Sequence, residues 1–200
     1  MQHPLRQHQI PKEVPRTNNR FGQLIGSLIL KAFGWQVTGE FPQSAKFIAA
    51  VAPHTSNWDF VIAIAVKFKL GLQVKFLGKH SIFVGPFAYI LKRMGGIPVD
   101  RRATNGIVNQ VTRIFHEQDA LILGLAPEGT RKYTQQWKTG FIYMAYSANV
   151  PIVPMLIDYR SKTFVILPAM TVTNDVPAEL IRIKQQYPKS AAKYPAQVSD

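Results

Sequence analysis

Apolar and polar positions along this chain change period repeatedly. Residues 46–52, KFIAAVA, are apolar almost without interruption, the pattern of a strand covered on both faces. Residues 57–70 then run at helical spacing, and the same exchange continues downstream. The pattern predicts a strand over 74–78, a helix over 83–94 and a short strand over 97–99. It predicts a helix over 105–117 capped by Thr104 or Asn105, then a strand over 120–125. Residues 137–149 place Trp137, Phe141, Met144, Ala145 and Ala148 on one helical face. Strands over 152–157 and 163–167 and a last helix over 178–187 complete the series. Strands separated by helix-length stretches call for βαβ crossovers. The expected fold class is therefore α/β: a single domain with a largely parallel or mixed central sheet flanked by helices.

Two ends lie outside that alternation. Residues 1–20 hold three prolines, four basic residues and no apolar run, which reads as a basic flexible arm and not as a signal peptide. Residues 21–36 form an N-terminal amphipathic helix with Phe21, Leu24, Ile25, Leu28, Ala32 and Trp35 at helical spacing. Such a helix either packs on the domain or lies in a membrane interface, with Trp35 at headgroup depth and Arg16, Arg20 and Lys31 near anionic lipid. The main domain spans 37–187, and the Lys-, Ala- and Pro-rich tail 188–200 is expected to fray. Nowhere do eighteen apolar residues follow one another, so no conventional spanning helix is expected.

Composition changes this picture in two ways. Twenty-four Lys and Arg against eleven Asp and Glu leave a net charge of +13, which predicts attraction to polyanions. Nucleic acid, anionic bilayers, phosphorylated metabolites and acidic proteins all qualify, but no recognised nucleic-acid motif is present and the basic residues are scattered. The absence of cysteine removes disulfides, thiolate metal sites and a Cys nucleophile.

The candidate chemistry gathers where strands end. In open α/β sheets ligands sit outside the carboxyl ends of the strands. The first predicted strand runs into His54-Thr-Ser-Asn-Trp-Asp59. With His54 in the turn and Asp59 in the first helical turns, the carboxylate can accept the imidazole Nδ1–H and leave Nε2 as a proton acceptor. The alternative is a capping Asp beside a surface His. The fourth predicted strand ends in Pro127-Glu128-Gly129-Thr130-Arg131, where Gly129 permits a close turn and the three polar side chains offer an acceptor, a hydroxyl and a guanidinium suited to phosphate. There a satisfied Glu–Arg pair is the alternative. Asp100 and Arg101 follow the third strand, and Lys79 stands at the end of the second. No cluster with metal-ligand spacing accompanies these residues, and no Gly-x-Ser-x-Gly elbow announces an acyl-enzyme.

His54 with Asp59, Gly96-Ile97-Pro98-Val99-Asp100-Arg101, Pro127-Glu128-Gly129-Thr130-Arg131 and Val150-Pro151-Ile152-Val153-Pro154 stand in the order of the four blocks of the glycerolipid acyltransferases. From about 45 to 160 the chain resembles the 1-acyl-glycerol-3-phosphate, PlsC-like branch of that family. The resemblance implies an acyltransferase domain over 37–187, acting at the cytoplasmic face of a membrane as a peripheral or monotopic protein. It implies transfer of a fatty acyl group from acyl-CoA or acyl carrier protein to a lysophospholipid, with no cofactor, no metal and no nucleic-acid partner. His54 becomes the catalytic base and Asp59 its orienting partner. Lys79, Arg101, Glu128, Gly129, Thr130 and Arg131 become candidates for substrate binding. Another lysolipid acceptor, or a non-catalytic lipid-binding protein of the same fold, remains open at this point.

Overall fold

The computed structural model describes residues 4–99 and 104–198. A seven-stranded sheet carries the fold: β1 (Gln36–Gly39), β2 (Lys46–Ala52), β3 (Val74–Lys79), β4 (Gly96–Val99), β5 (Leu121–Leu125), β6 (Ile152–Asp158) and β7 (Thr163–Ile166), in the spatial order β1-β7-β6-β2-β5-β3-β4. Every pairing is parallel except β6 with β7, so the sheet is mixed, as expected. Strand β1 escapes the sequence pattern. It is four residues long, and of these only Val37 and Thr38 are buried.

The uninterrupted apolar run of β2 has a direct cause. Phe47 and Ala49 face one core, while Ile48, Ala50 and Ala52 face the other. Helix α2 (Asn57–Leu70) covers the first face with Ile62, Ala65, Val66 and Leu70. The second face is covered by α4 (Thr104–Glu117), through Val111 and Phe115, and by α5 (Gly140–Ala148), through Phe141, Met144 and Ala145. Right-handed crossovers require this split. The chain moves one way across the sheet from β2 through β3 to β4, by α2 and α3 (Gly85–Arg93), and then returns to β5 and β6 by α4 and α5. β2 and β5 are neighbours whose following helices leave on opposite faces, which makes their carboxyl ends a topological switch point.

Helix α1 (Arg20–Ala32) packs against α2 through a face that hydropathy did not mark. Gly22, Gly26 and Leu30 are its buried positions. A Cβ on Gly26 would come within 2.5 Å of the Ala65 carbonyl oxygen and the Lys69 nitrogen, so only glycine permits this approach. The predicted stripe is instead split, with Phe21, Leu24 and Leu28 exposed at 73, 56 and 56%. Trp35, expected at headgroup depth, is buried, its ring edge-on to Tyr159 with centroids 5.0 Å apart.

Both ends depart from expectation. The segment expected as a flexible arm buries Leu5, Ile10 and Val14, and the Leu5 N–H donates to the Val37 carbonyl at 2.7 Å. Apolar residues spaced between its prolines anchor it. Arg16 donates to the Leu70 and Gln7 carbonyls at 3.2 and 3.0 Å, so its guanidinium serves the fold. The tail expected to fray also lies on the domain after α6 (Val176–Lys184), with Ala191, Ala192 and Val198 buried.

Candidate active site

β2 ends at Ala52, and the turn that follows delivers His54, Thr55 and Ser56 to the start of α2. Ser56 caps the helix: its hydroxyl accepts from the Trp58 N–H at 3.2 Å. Asp59, at the third helical position, returns the bond, accepting from the Ser56 N–H at 2.6 Å and the Thr55 N–H at 2.7 Å through Oδ2. This is a capping box. The backward reach of that carboxylate brings Oδ2 to 3.4 Å from His54 Nδ1. Capping and pairing with the histidine are therefore one arrangement, and the five-residue spacing follows from it.

Asp59 has no solvent exposure, and the His54 side chain retains 16%. The second oxygen of Asp59, Oδ1, accepts from the Tyr159 hydroxyl at 2.6 Å. Burial pushes the Asp59 carboxyl up, but hydrogen bonds from His54, Tyr159 and Ser56 outweigh it and hold the group below its ordinary value. Asp59 is thus an anion whose Oδ2, 3.4 Å from Nδ1, is placed to accept a proton on that nitrogen, the arrangement in which Nε2 is the free acceptor. Burial, with the adjoining anion, pushes the Tyr159 phenol far above its ordinary range, so it stays a donor.

Glu128 arrives from the carboxyl end of β5 through a turn in which Gly129 takes φ +68 and donates to the Ala126 carbonyl at 3.1 Å. Its side chain points inward and is only 4% exposed. Oε1 accepts the backbone N–H of His54 at 2.7 Å, and Oε2 is buried without a hydrogen-bond partner among the described residues. Burial raises its pKa, an effect the bond from His54 only partly offsets. The Glu–Arg pair that the sequence allowed does not form, since this carboxylate serves the histidine loop.

Of the other predicted site residues, Gly129 and Arg131 are exposed on the same loop, and the Thr130 hydroxyl accepts the Lys132 N–H at 3.2 Å. Lys79 ends β3, where only its place in the strand is described. Arg101 lies outside the described residues. Among the described residues no group of three His, Asp or Glu could hold a metal ion.

Several residues in contact with this site were not singled out from sequence. Tyr159 directly follows β6, so the strand-end rule that selected His54 and Glu128 would also have selected it. The tail offered no such signal. The Tyr194 N–H donates to Thr55 Oγ1 at 3.3 Å, and the Gln197 amide nitrogen, turned to face them, donates to the Thr55 and Arg131 carbonyls at 2.9 Å each. The segment after α6 therefore ties the His54 and Glu128 loops together.

Comparison with known proteins agrees with this geometry. A family model described as Acyltransferase matches residues 35–158. The chain is similar to 1-acyl-sn-glycerol-3-phosphate acyltransferases of Haemophilus influenzae, at 31% identity over 134 residues covering 62% of this chain and 54% of that one. It is similar to that of Escherichia coli at 27% identity over 161 residues, covering 76% and 62%. The chain thus spans 54 to 62% of the length of these relatives. The crystal structure of the 1-acyl-sn-glycerophosphate acyltransferase PlsC from Thermotoga maritima shares its fold, with a TM-score of 0.56 at 16% identity, covering 84% of this chain and 78% of that one.

Proposed function

The chain belongs to the acyltransferase family, and from that premise we propose that it moves a fatty acyl group from a thioester, acyl-CoA or acyl carrier protein, to the free hydroxyl of 1-acyl-glycerol-3-phosphate. The observation that carries this reading is the His54 imidazole, partly open to solvent, beside a fully buried, ionised Asp59 at the switch point of the sheet. The similar proteins of Haemophilus influenzae and Escherichia coli, which bear the name of that reaction, support the choice of acceptor.

In this mechanism His54 Nε2 takes the proton of the acceptor hydroxyl as the oxygen attacks the thioester carbonyl. The tetrahedral centre collapses by breaking the C–S bond, and the departing thiolate takes the proton from the imidazolium. Asp59 stabilises that imidazolium and holds the ring in its orientation. A proton relay of this kind contributes about 10²–10⁴-fold, and positioning of the two substrates supplies much of the rest. Glu128 acts by fixing the histidine loop, through the bond from the His54 amide. Exposed Arg131 on the adjoining turn is the candidate for the acceptor phosphate, with Lys79 and Arg101 from the neighbouring strand ends.

A lipid substrate needs a lipid surface, and the outward face of α1 suits one. Phe21, Leu24 and Leu28 stand exposed on it, and Phe33 beyond its end meets Trp58 edge-on at 5.4 Å, one residue before Asp59. No helix among the described residues is long and apolar enough to cross a membrane. We take α1 to lie in the interface of an anionic membrane, so that apolar surface leads from the bilayer toward the site.

The test is purified protein with acyl-CoA and a panel of lysolipids, followed by release of free thiol. The expected outcome is release with 1-acyl-glycerol-3-phosphate and its loss in a folded His54→Ala variant. Turnover that survives His54→Ala sinks the base assignment; release with a different lysolipid alone moves the acceptor.

A further inference from the structure

The two strands that flank β2 each send one side chain to the histidine loop. β5, on one side, supplies Glu128, which accepts the His54 amide. β6, on the other, leads into Tyr159, whose hydroxyl donates to Asp59 Oδ1 at 2.6 Å from one hundred positions along the chain. We propose that Tyr159 is a positioning residue for the reaction: it holds one oxygen of Asp59 so that the other stays turned toward His54 Nδ1. This rests on the reading of His54 as the base.

The bond is made in a place where it matters. Asp59 Oδ2 already accepts the Thr55 and Ser56 amides and faces the imidazole. Oδ1 has Tyr159 as its hydrogen-bond donor among the described residues. A buried carboxylate oxygen left without a donor carries a desolvation penalty, so this hydroxyl keeps the anion in place and charged. Tyr159 is itself held from two sides. Its N–H donates to the Ala191 carbonyl at 2.9 Å, and its ring meets Trp35 edge-on at 88°. The ionisable groups that bear on it are Asp59 and Tyr194, and those that bear on Asp59 include His54, Tyr159 and, at longer range, Glu128. The family match ends at residue 158, one position before this tyrosine.

The hydroxyl acts in two ways. It fixes the orientation of the carboxylate, which bears on kcat. As a donor on Oδ1 it also draws some charge from the carboxylate, which bears on the pH at which the imidazolium loses its proton. Tyr159→Phe removes only the oxygen. The variant is expected to fold, to lose about tenfold in kcat as second-layer partners of reactive groups do, and to keep KM for both substrates. The acid limb of its pH–rate profile should move to higher pH, because the imidazolium now faces a fuller negative charge. Site-specific 3-fluorotyrosine at 159 keeps the shape and makes the phenol a stronger donor, so the limb should move to lower pH. This second variant carries the test should Tyr159→Phe fail to fold. Shifts of opposite sign support the proposal, and a profile unmoved in the folded variants overturns it. His54→Ala run alongside separates the two ideas: turnover retained there removes the base assignment, whereas an inactive His54→Ala beside an unshifted Tyr159 series removes only the role of Tyr159.

Discussion

Glu128 shows most plainly how a single residue acquires a role that its motif does not state. The sequence offered it as a contact for the acceptor, and the structure turns its carboxylate inward onto the His54 amide. Glutamine retains an acceptor at that position and leucine does not. Glu128→Gln is therefore expected to keep most of kcat and the acceptor KM, while Glu128→Leu loses about 10–100-fold in kcat, as partners that orient a reactive group do. Steady-state kinetics on both variants decide it, and a raised acceptor KM in the glutamine variant alone would restore the substrate-contact role. The same residue leaves a mark on stability. Its pKa is raised above 4.5 by burial, so the folded chain binds that proton more tightly than the unfolded chain. Stability from this group is complete below the ordinary value and falls as pH rises through the raised one. Melting temperatures of Glu128→Gln should consequently decline less steeply with rising pH, above 4.5, than those of the parent. Asp59 contributes in the opposite sense. Its lowered pKa stabilises the fold above 3.8 and that contribution is lost as acid protonates it.

At the scale of elements, burial on both sides made the strands legible and packing decided the rest. The run 46–52 and the helix 57–70 coincide with β2 and α2, because a strand between two helical layers must be apolar throughout and a Ser-x-x-Asp start marks a helix. β1 was not legible, since an edge strand with two buried residues writes almost no pattern. α1 was legible as a helix but not in its orientation. Hydropathy points to Phe21, Leu24 and Leu28, yet the close approach to α2 is made at Gly26, which carries no hydropathy signal. Gly26→Val should accordingly push α1 from α2 and destabilise the fold by about 1–3 kcal/mol, the usual cost of overpacking. Chemical denaturation measures this, and a valine variant as stable as the parent would contradict the close contact between the helices.

For the whole molecule, the proposed membrane docking joins the excess of positive charge to the outward apolar face of α1. Binding to anionic vesicles should weaken as salt shortens the Debye length from about 10 Å at 0.1 M to about 3 Å at 1 M. Leu24→Ser with Leu28→Ser should release the protein from such vesicles at low salt while leaving its melting temperature unchanged, because both side chains are already exposed. Co-sedimentation checks both outcomes, and binding indifferent to salt and to these substitutions removes α1 as the docking element. By itself the sequence determined the α/β alternation, the strands of the core, and the placing of His54, Asp59 and Glu128 at strand ends. Those features are local, written in hydrophobic period and in the residues of a single turn. Only the tertiary structure decided that Tyr159 and Gln197 reach the histidine loop, that Glu128 faces inward, and that Phe21, Leu24 and Leu28 of α1 face outward while Trp35 is buried. Each of these joins positions far apart in the chain, and a contact between distant segments depends on how layers pack, which no local period records.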